Sequence, residues 1–239
     1  MNILVTGGAS GLGEAIVREF AGTPGNKVFF TYFGSETAAK NLEKELIHTK
    51  SIHCDFTNNE SIASLLMQMA LFDLDVLVNN AIPGMVKKHF HKIDPEEFTG
   101  SFSRNVLPVI RITQKAIMEF RKKKYGKIIT VLSAAGISKP PVGWSEYVAA
   151  KAYIEALSRS WATENISFGI TANCISPSFM ATKLTGDTDE RVVEEMIKNH
   201  PLKKLLTTEE VAQAIAGLSI ASPHINGINL VMNAGTELK

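Results

Sequence analysis

The chain has little cysteine: Cys54 and Cys174, far apart and in apolar runs, are the two among 239 residues. Two thiols cannot frame a disulfide-stapled fold or build a zinc site by themselves, and both read as small buried hydrophobes. Excess charge is lacking too. With 25 basic and 24 acidic residues and a net charge of +1, nothing steers the chain toward nucleic acid or an anionic membrane. No apolar run approaches the roughly 18 residues of a membrane span. The opening Met1-Asn2-Ile3-Leu4-Val5 has neither a basic leader nor a cleavage site. No Pro/Gly/Ser-rich linker and no internal repeat divides the chain. These absences make a cytoplasmic, reducing setting and one domain over residues 1–239 the expectation. At 45% hydrophobic residues the chain can bury a large core.

What is there is alternation. Short β-rich runs fall at 2–6, 27–32, 51–54, 75–79, 126–132, 170–176 and 228–232. Helical patterns lie between them, at 11–22, 36–47, 58–70, 96–121, 145–163 and 208–220. Strands apolar on both faces and separated by helices predict an α/β fold: a single-domain, doubly wound parallel sheet of about seven strands, helices on both faces. One excursion breaks the rhythm at 177–207. It carries a short helix over 189–199, bounded by Asp189 and Pro201, and its place after a strand's C-terminal end suits a substrate cover.

Two constellations carry chemistry. Gly7, Gly11 and Gly13 follow the first strand and open the first helix. Missing side chains there let the backbone turn tightly and approach a pyrophosphate, whose charge suits a helix N-terminus. A glycine-rich turn alone is weak evidence, and a merely structural turn is the bland alternative; its position between strand and helix favours the binding role. Farther on, Tyr147 and Lys151 lie one helical turn apart on one face, with Ser133 fourteen residues upstream. An ammonium close to a phenol lowers a pKa that starts at about 10. Such a pair can move a proton on or off a carbonyl oxygen while hydride moves at carbon. Taken singly, Ser133 could cap a strand end, Asn105 could stabilise a helix bulge and Asp55 could sit at a helix N-terminus.

Joint order decides between these readings. The G-x-x-x-G-x-G spacing after Thr6 resembles the short-chain dehydrogenase/reductase family, and the resemblance then covers nearly the whole chain. The family's acid after the third strand matches Asp55, followed by Phe56. Its Asn-Asn-Ala-Gly after the fourth strand matches Asn79-Asn80-Ala81, with Ile82 where glycine is usual. Its catalytic asparagine, serine, tyrosine and lysine match Asn105, Ser133, Tyr147 and Lys151. Its motif after the sixth strand matches Asn173, Pro177 and Thr182, with Ser178 replacing glycine. "TYFGSETAA" and "PLKKLLTTEEVAQAI" bring it closest in flavour to the 3-oxoacyl-carrier-protein reductases.

The resemblance implies an NAD(P)-dependent oxidoreductase interconverting a carbonyl and an alcohol, a 3-oxoacyl thioester being the best single substrate. Tyr147 would pass the proton, Lys151 would lower its pKa and hold the ribose, Ser133 would bond the carbonyl oxygen, and Asn105 would hold a water joining Lys151 to solvent. Cofactor contacts would come from Gly7, Ser10, Gly11, Leu12, Gly13, Tyr32, Ser35, Asp55, Phe56, Asn79, Asn80, Ala81, Tyr147, Lys151, Pro177 and Thr182. NADP(H) is favoured over NAD(H), because Tyr32 stands where an NAD-gripping acid would end the second strand. Thr31 and Ser35 would then meet the 2′-phosphate, with Tyr32 alternatively a surface aromatic. The partner is a small carbonyl or alcohol substrate, free or carrier-protein-linked, with no nucleic acid, membrane or metal. A homodimer or homotetramer is implied, packed through 96–121 and 145–163.

Other features read as bland. "RKKKYGK" at 121–127 suits a helix C-terminus. His89 and His91 lack neighbouring ligands at metal spacing. Met67 and Met69 read as core filling. Trp144 is either pocket lining or interface, and Lys183, Arg191, Lys203 and Lys204 are either carrier contacts or a solvated face. The alternative functions are a non-catalytic dinucleotide-binding regulator, a nucleotide-sugar epimerase or dehydratase, and a reductase of another ketone, steroid or sugar alcohol.

Overall fold

The computed structural model describes residues 1–137, 139–182, 186 and 188–236. Seven strands form one parallel sheet in the order β3-β2-β1-β4-β5-β6-β7. They are β1 (Asn2–Val5), β2 (Lys27–Tyr32), β3 (Thr49–His53), β4 (Val76–Asn79), β5 (Gly126–Val131), β6 (Ile170–Pro177) and β7 (Asn229–Met232). Each falls within about two residues of the run predicted for it, the ordinary fraying of element ends. β4 and β5 are buried along their whole length, as strands covered on both faces must be.

Alternation along the strands builds two cores. Leu4, Leu77, Ile128 and Ala172 face α3 (Asn59–Met69), α5 (Leu107–Lys123) and α6 (Ser145–Asn165) through Leu65, Ile112, Phe120 and Ile154. Val5, Phe30, Val78 and Ile129 face α1 (Gly11–Ala21), α2 (Glu36–Glu45) and α8 (Thr208–Ile220) through Ile16, Phe20, Leu42 and Ile215. The helix starts are chemically marked. Asn58 accepts from the Glu60 and Ser61 N–H groups at α3, and Thr207 and Glu210 form a reciprocal capping box at α8. Asp55 is therefore not the cap of α3; its Oδ1 accepts the Thr57 N–H at 2.8 Å and the Thr57 hydroxyl at 2.7 Å.

The helix expected over 96–121 forms without a break from Pro95 to Lys123, but it is not regular. α4 (Pro95–Ser101) leads into a wide π turn at Phe102–Val106 before α5 begins. Pro108 is the cause: it lacks an N–H, and its ring would clash with the Arg104 carbonyl four residues back in a regular helix. The basic end of α5 is tied into the chain, with Lys123 Nζ 2.6 Å from Asp75 and Arg121 bonded to Asn165 at 2.8 Å. That agrees with the cap reading of "RKKKYGK". The excursion after β6 carries α7 (Glu190–Asn199), capped by Asp189, whose carboxylate accepts the Arg191 N–H at 2.8 Å. Lys183 lies outside the described residues. Among the described residues no helix is long and apolar enough to cross a membrane.

The strand order turns back between β1 and β4, so the C-terminal ends of these two neighbours splay their loops apart. In a doubly wound sheet this is where a crevice opens. The glycine loop follows β1 there, and Asn80 follows β4.

Candidate active site

The glycine loop is shaped by what it cannot accommodate. Gly7 and Gly11 have φ of +69° and +53°, in the left-handed region that favours glycine. A Cβ on Gly13 would lie 1.9 Å from the Gly7 carbonyl oxygen. The loop is tied to β4 from below. Thr6 Oγ1 accepts the Asn80 and Ala81 N–H groups at 2.9 and 3.0 Å, while Asn80 Nδ2 donates to the Thr6 and Gly7 carbonyls at 3.0 and 3.2 Å. Gly7 N–H donates to Thr31 Oγ1 at 2.9 Å. The result is a tied-down cradle at the start of α1 where the glycines present bare backbone, and Ser10 there makes no side-chain capping bond. Its shape fits a pyrophosphate.

From this cradle runs a cleft of about 1050 Å³. Gly7, Ser10, Gly11, Leu12, Gly13, Tyr32, Ser35, Asp55, Phe56, Asn80, Ala81, Ser133, Tyr147, Lys151, Pro177 and Thr182 all line it, so one cleft gathers nearly every residue proposed from sequence. Asn79 does not reach it. That side chain turns into the protein, where Nδ2 donates to Thr113 Oγ1 at 2.9 Å, which corrects its expected contact with the cofactor. Asn105 is also absent from the cleft. Instead Asn79 and Asn105 border a cavity of about 10 Å³ shared with Tyr147 and Lys151, on the scale of a single water. Asn105 Nδ2 donates to the Gly84 carbonyl at 3.1 Å.

Ser133, Tyr147 and Lys151 meet at the middle of the cleft. Ser133 follows β5 and accepts the Ala135 N–H at 3.2 Å, and it lines the cleft with Tyr147. Tyr147 sits buried in the first turn of α6, its ring edge-on to Trp144 at 5.4 Å. Lys151 Nζ donates to the Val131 carbonyl at 2.6 Å and lies 5.8 Å from the centre of the Tyr147 ring. Burial pulls the Lys151 pKa down to about 8, the Cys174 thiol opposing the shift weakly. Burial also pushes the Tyr147 pKa up, with the Ser133 hydroxyl working against it. Lys151 is not among the causes of the phenol's shift; its ammonium is held by the Val131 carbonyl.

Beside the cradle, β2 ends at Tyr32, and Phe33, Gly34 and Ser35 follow it along the cleft. Tyr32 is buried and packs edge-on to His53 at 5.5 Å, which excludes the surface-aromatic alternative. Among the described residues lining the cleft, Asp55 is the only carboxylate.

A family model described as enoyl-(acyl carrier protein) reductase matches residues 7–237. The chain is 31% identical over 243 residues to the 3-oxoacyl-[acyl-carrier-protein] reductase FabG of Haemophilus influenzae, covering 98% of this chain and 97% of that one. It is 32% identical over 237 residues to FabG of Salmonella typhimurium, covering 97% and 95%. A solved short chain dehydrogenase/reductase family protein superposes with a TM-score of 0.86 at 28% identity, over 98% of this chain and 95% of that one. The chain belongs to the short-chain dehydrogenase/reductase family. It is accordingly an NAD(P)-dependent oxidoreductase.

Within this family frame the cleft holds residues that sequence reasoning missed. Arg104 enters from the π turn, and Asn233 and Thr236 enter from beyond β7. Trp144, left open between two roles, lines the cleft, as do Met196, Asn199 and His200 at the end of α7. Only Arg104 carried a signal in the sequence, as a charge beside a singled-out asparagine. The two departures from the family pattern also lie at the site. Ile82 borders both the cleft and the small cavity, and Ser178 lines the cleft with its N–H on the Met232 carbonyl at 2.9 Å.

Proposed function

We propose that the protein reduces a 3-oxoacyl thioester with NADPH, in the cytoplasm, on a substrate that is free or linked to a carrier protein. The observation that carries this reading is the meeting of Ser133, Tyr147 and Lys151 midway along one cleft. The same cleft is lined by the glycine cradle and by apolar groups of the excursion (Phe179, Met180, Met196, Leu205 and Leu206). The names of the relatives supply the thioester. When bound, the nicotinamide supplies hydride to the carbonyl carbon.

The rest falls to the chain. Gly7, Gly11, Gly13 and the α1 N-terminus bind the pyrophosphate. Ser133 donates a hydrogen bond to the carbonyl oxygen as charge develops on it. Tyr147, kept protonated by burial, gives that oxygen its proton. Lys151 remains mostly cationic at neutral pH, since its pKa is about 8, and meets the ribose hydroxyls. A water in the Asn105 cavity links Lys151 to a proton supply. The 177–207 excursion covers the acyl chain.

No carboxylate at the end of β2 repels a 2′-phosphate, which favours NADP(H). The hydroxyls of Thr31 and Ser35, both lining the cleft, are its contacts; Thr31 Oγ1 accepts the Gly7 N–H and keeps its own O–H to donate. The test is absorbance decay of NADPH and NADH, side by side, with an acetoacetyl thioester. Turnover preferring NADPH supports the whole reading; turnover only with other ketones removes the thioester, and a preference for NADH removes the cofactor assignment.

A further inference from the structure

Two residues next to the reacting groups have no part in the scheme above. Glu146 precedes Tyr147, and Arg104 precedes Asn105. The Glu146 side chain is 0% exposed, and burying a carboxylate is costly unless it is paired and hydrogen-bonded. Its Oε2 accepts the Val86 N–H at 3.0 Å. Its Oε1 has no hydrogen bond and stands 3.9 Å from Arg104 Nη2, whose side chain is 38% exposed and lines the cleft.

Val86 belongs to an irregular stretch after β4 whose Ile82, Pro83 and Gly84 form a wall of the cleft. That stretch is fastened by Gly84 carbonyl to Asn105 Nδ2 at 3.1 Å, Val86 N–H to Glu146, Lys88 N–H to the Gly143 carbonyl at 3.2 Å, and Lys88 Nζ to Glu97 at 2.7 Å. Lys87 Nζ also lies 5.8 Å from the centre of the Trp144 ring. The fastening thus runs from the wall to the residues that place Tyr147.

We propose that Glu146 is a positioning residue, strapping the Ile82–Lys88 wall to the start of α6, with Arg104 holding its carboxylate in place from the cleft side. The strap fixes the separation between the substrate-facing wall and the Tyr147 hydroxyl. A charged acceptor makes the stronger bond to a backbone N–H, and the arginine offsets the charge so buried. This rests on the proposed carbonyl reduction for its kinetic readout only.

Glu146→Leu keeps bulk but removes the acceptor, whereas Glu146→Gln keeps an oxygen for Val86. The Leu variant is expected to raise the KM of the carbonyl substrate roughly tenfold, the size of one lost charged hydrogen bond, with dinucleotide affinity unchanged. The Gln variant returns KM to near the wild-type value. Equal damage from both, or a loss confined to kcat, overturns the strap.

A second readout needs no substrate: acrylamide quenching of Trp144 in a Trp161→Phe background. Glu146→Leu and Arg104→Gln should each raise quenching roughly twofold by loosening the wall, while the Arg104→Gln/Glu146→Gln double variant should restore it. Unchanged quenching in both single variants, or no restoration in the double, overturns the proposal. Failure of the wild-type protein to turn over a thioester would remove that substrate alone, because quenching still reads the strap.

Discussion

Lys151 serves two ends that oppose each other. Its cation faces the cleft, yet burial lowers its pKa from 10.5 to about 8, so folding must desolvate a charge. Below pH 8 both folded and unfolded chains hold the proton and the full cost is present. Between pH 8 and 10.5 the unfolded chain still holds it and the folded chain does not, so this group's contribution to stability rises with pH. Lys151→Met is therefore expected to abolish turnover and yet stabilise the fold by about 2 kcal/mol near pH 7, the bond to Val131 being forfeited. The advantage should shrink as pH rises through 8, by about 1.4 kcal/mol per pH unit, and be gone before pH 10.5. Denaturant melts of both proteins across that range check it, and an advantage constant with pH would count against a desolvated ammonium. Tyr147→Phe removes the proton donor with almost no change in packing. Turnover should fall by roughly a thousandfold or more, with dinucleotide fluorescence titrations unchanged. The sequence placed both residues on one face of a helix correctly. It could not give the sign of the phenol's shift, because desolvation comes from residues all around the cleft.

Among the elements, the turn from β1 into α1 admits least change. A methyl on Gly13 would meet the Gly7 carbonyl at 1.9 Å, and backbone cannot yield as a side-chain tip can. Gly13→Ala should lose roughly tenfold or more in dinucleotide affinity and lower the melting temperature, measured by fluorescence titration and calorimetry. Near-normal binding would mean the cradle is not the pyrophosphate site. The π turn before α5 teaches a different lesson. Apolar periodicity ran through 96–121 as one pattern, so the residues read as one helix. Pro108 was visible in it, but whether a proline kinks, ends or widens a helix depends on what packs against the freed carbonyls. Here the widened turn carries both Arg104, which lines the cleft, and Asn105, which bonds the Gly84 carbonyl of the wall.

At the level of the whole molecule, Met118 on α5 and Tyr153 on α6 are 59% and 46% exposed. Large apolar side chains left bare on long helices suit contact with another copy. The protein is expected to sediment as a dimer or tetramer at micromolar concentration, with Tyr153→Glu shifting it toward monomer. A monomeric wild-type protein would refute the oligomer implied by the resemblance. The two core layers need no such test of principle: they follow from strand residues that alternate between faces, each face met by helices of matching apolar stripe.

By itself the sequence determined the parallel sheet, the place of the glycine cradle and the pairing of Tyr147 with Lys151. Each depends on residues close in the chain, where strand period, helix period and glycine conformation act locally. Tertiary structure alone decided that Asn79 turns inward to Thr113 and that Asn233 and Thr236 come back to the cleft. It also decided that Glu146 reaches across sixty residues to Val86 and lies beside Arg104. Those outcomes, like the pKa of a buried lysine, arise from contacts between distant segments and from the water that their packing excludes, and no local pattern of residues encodes either.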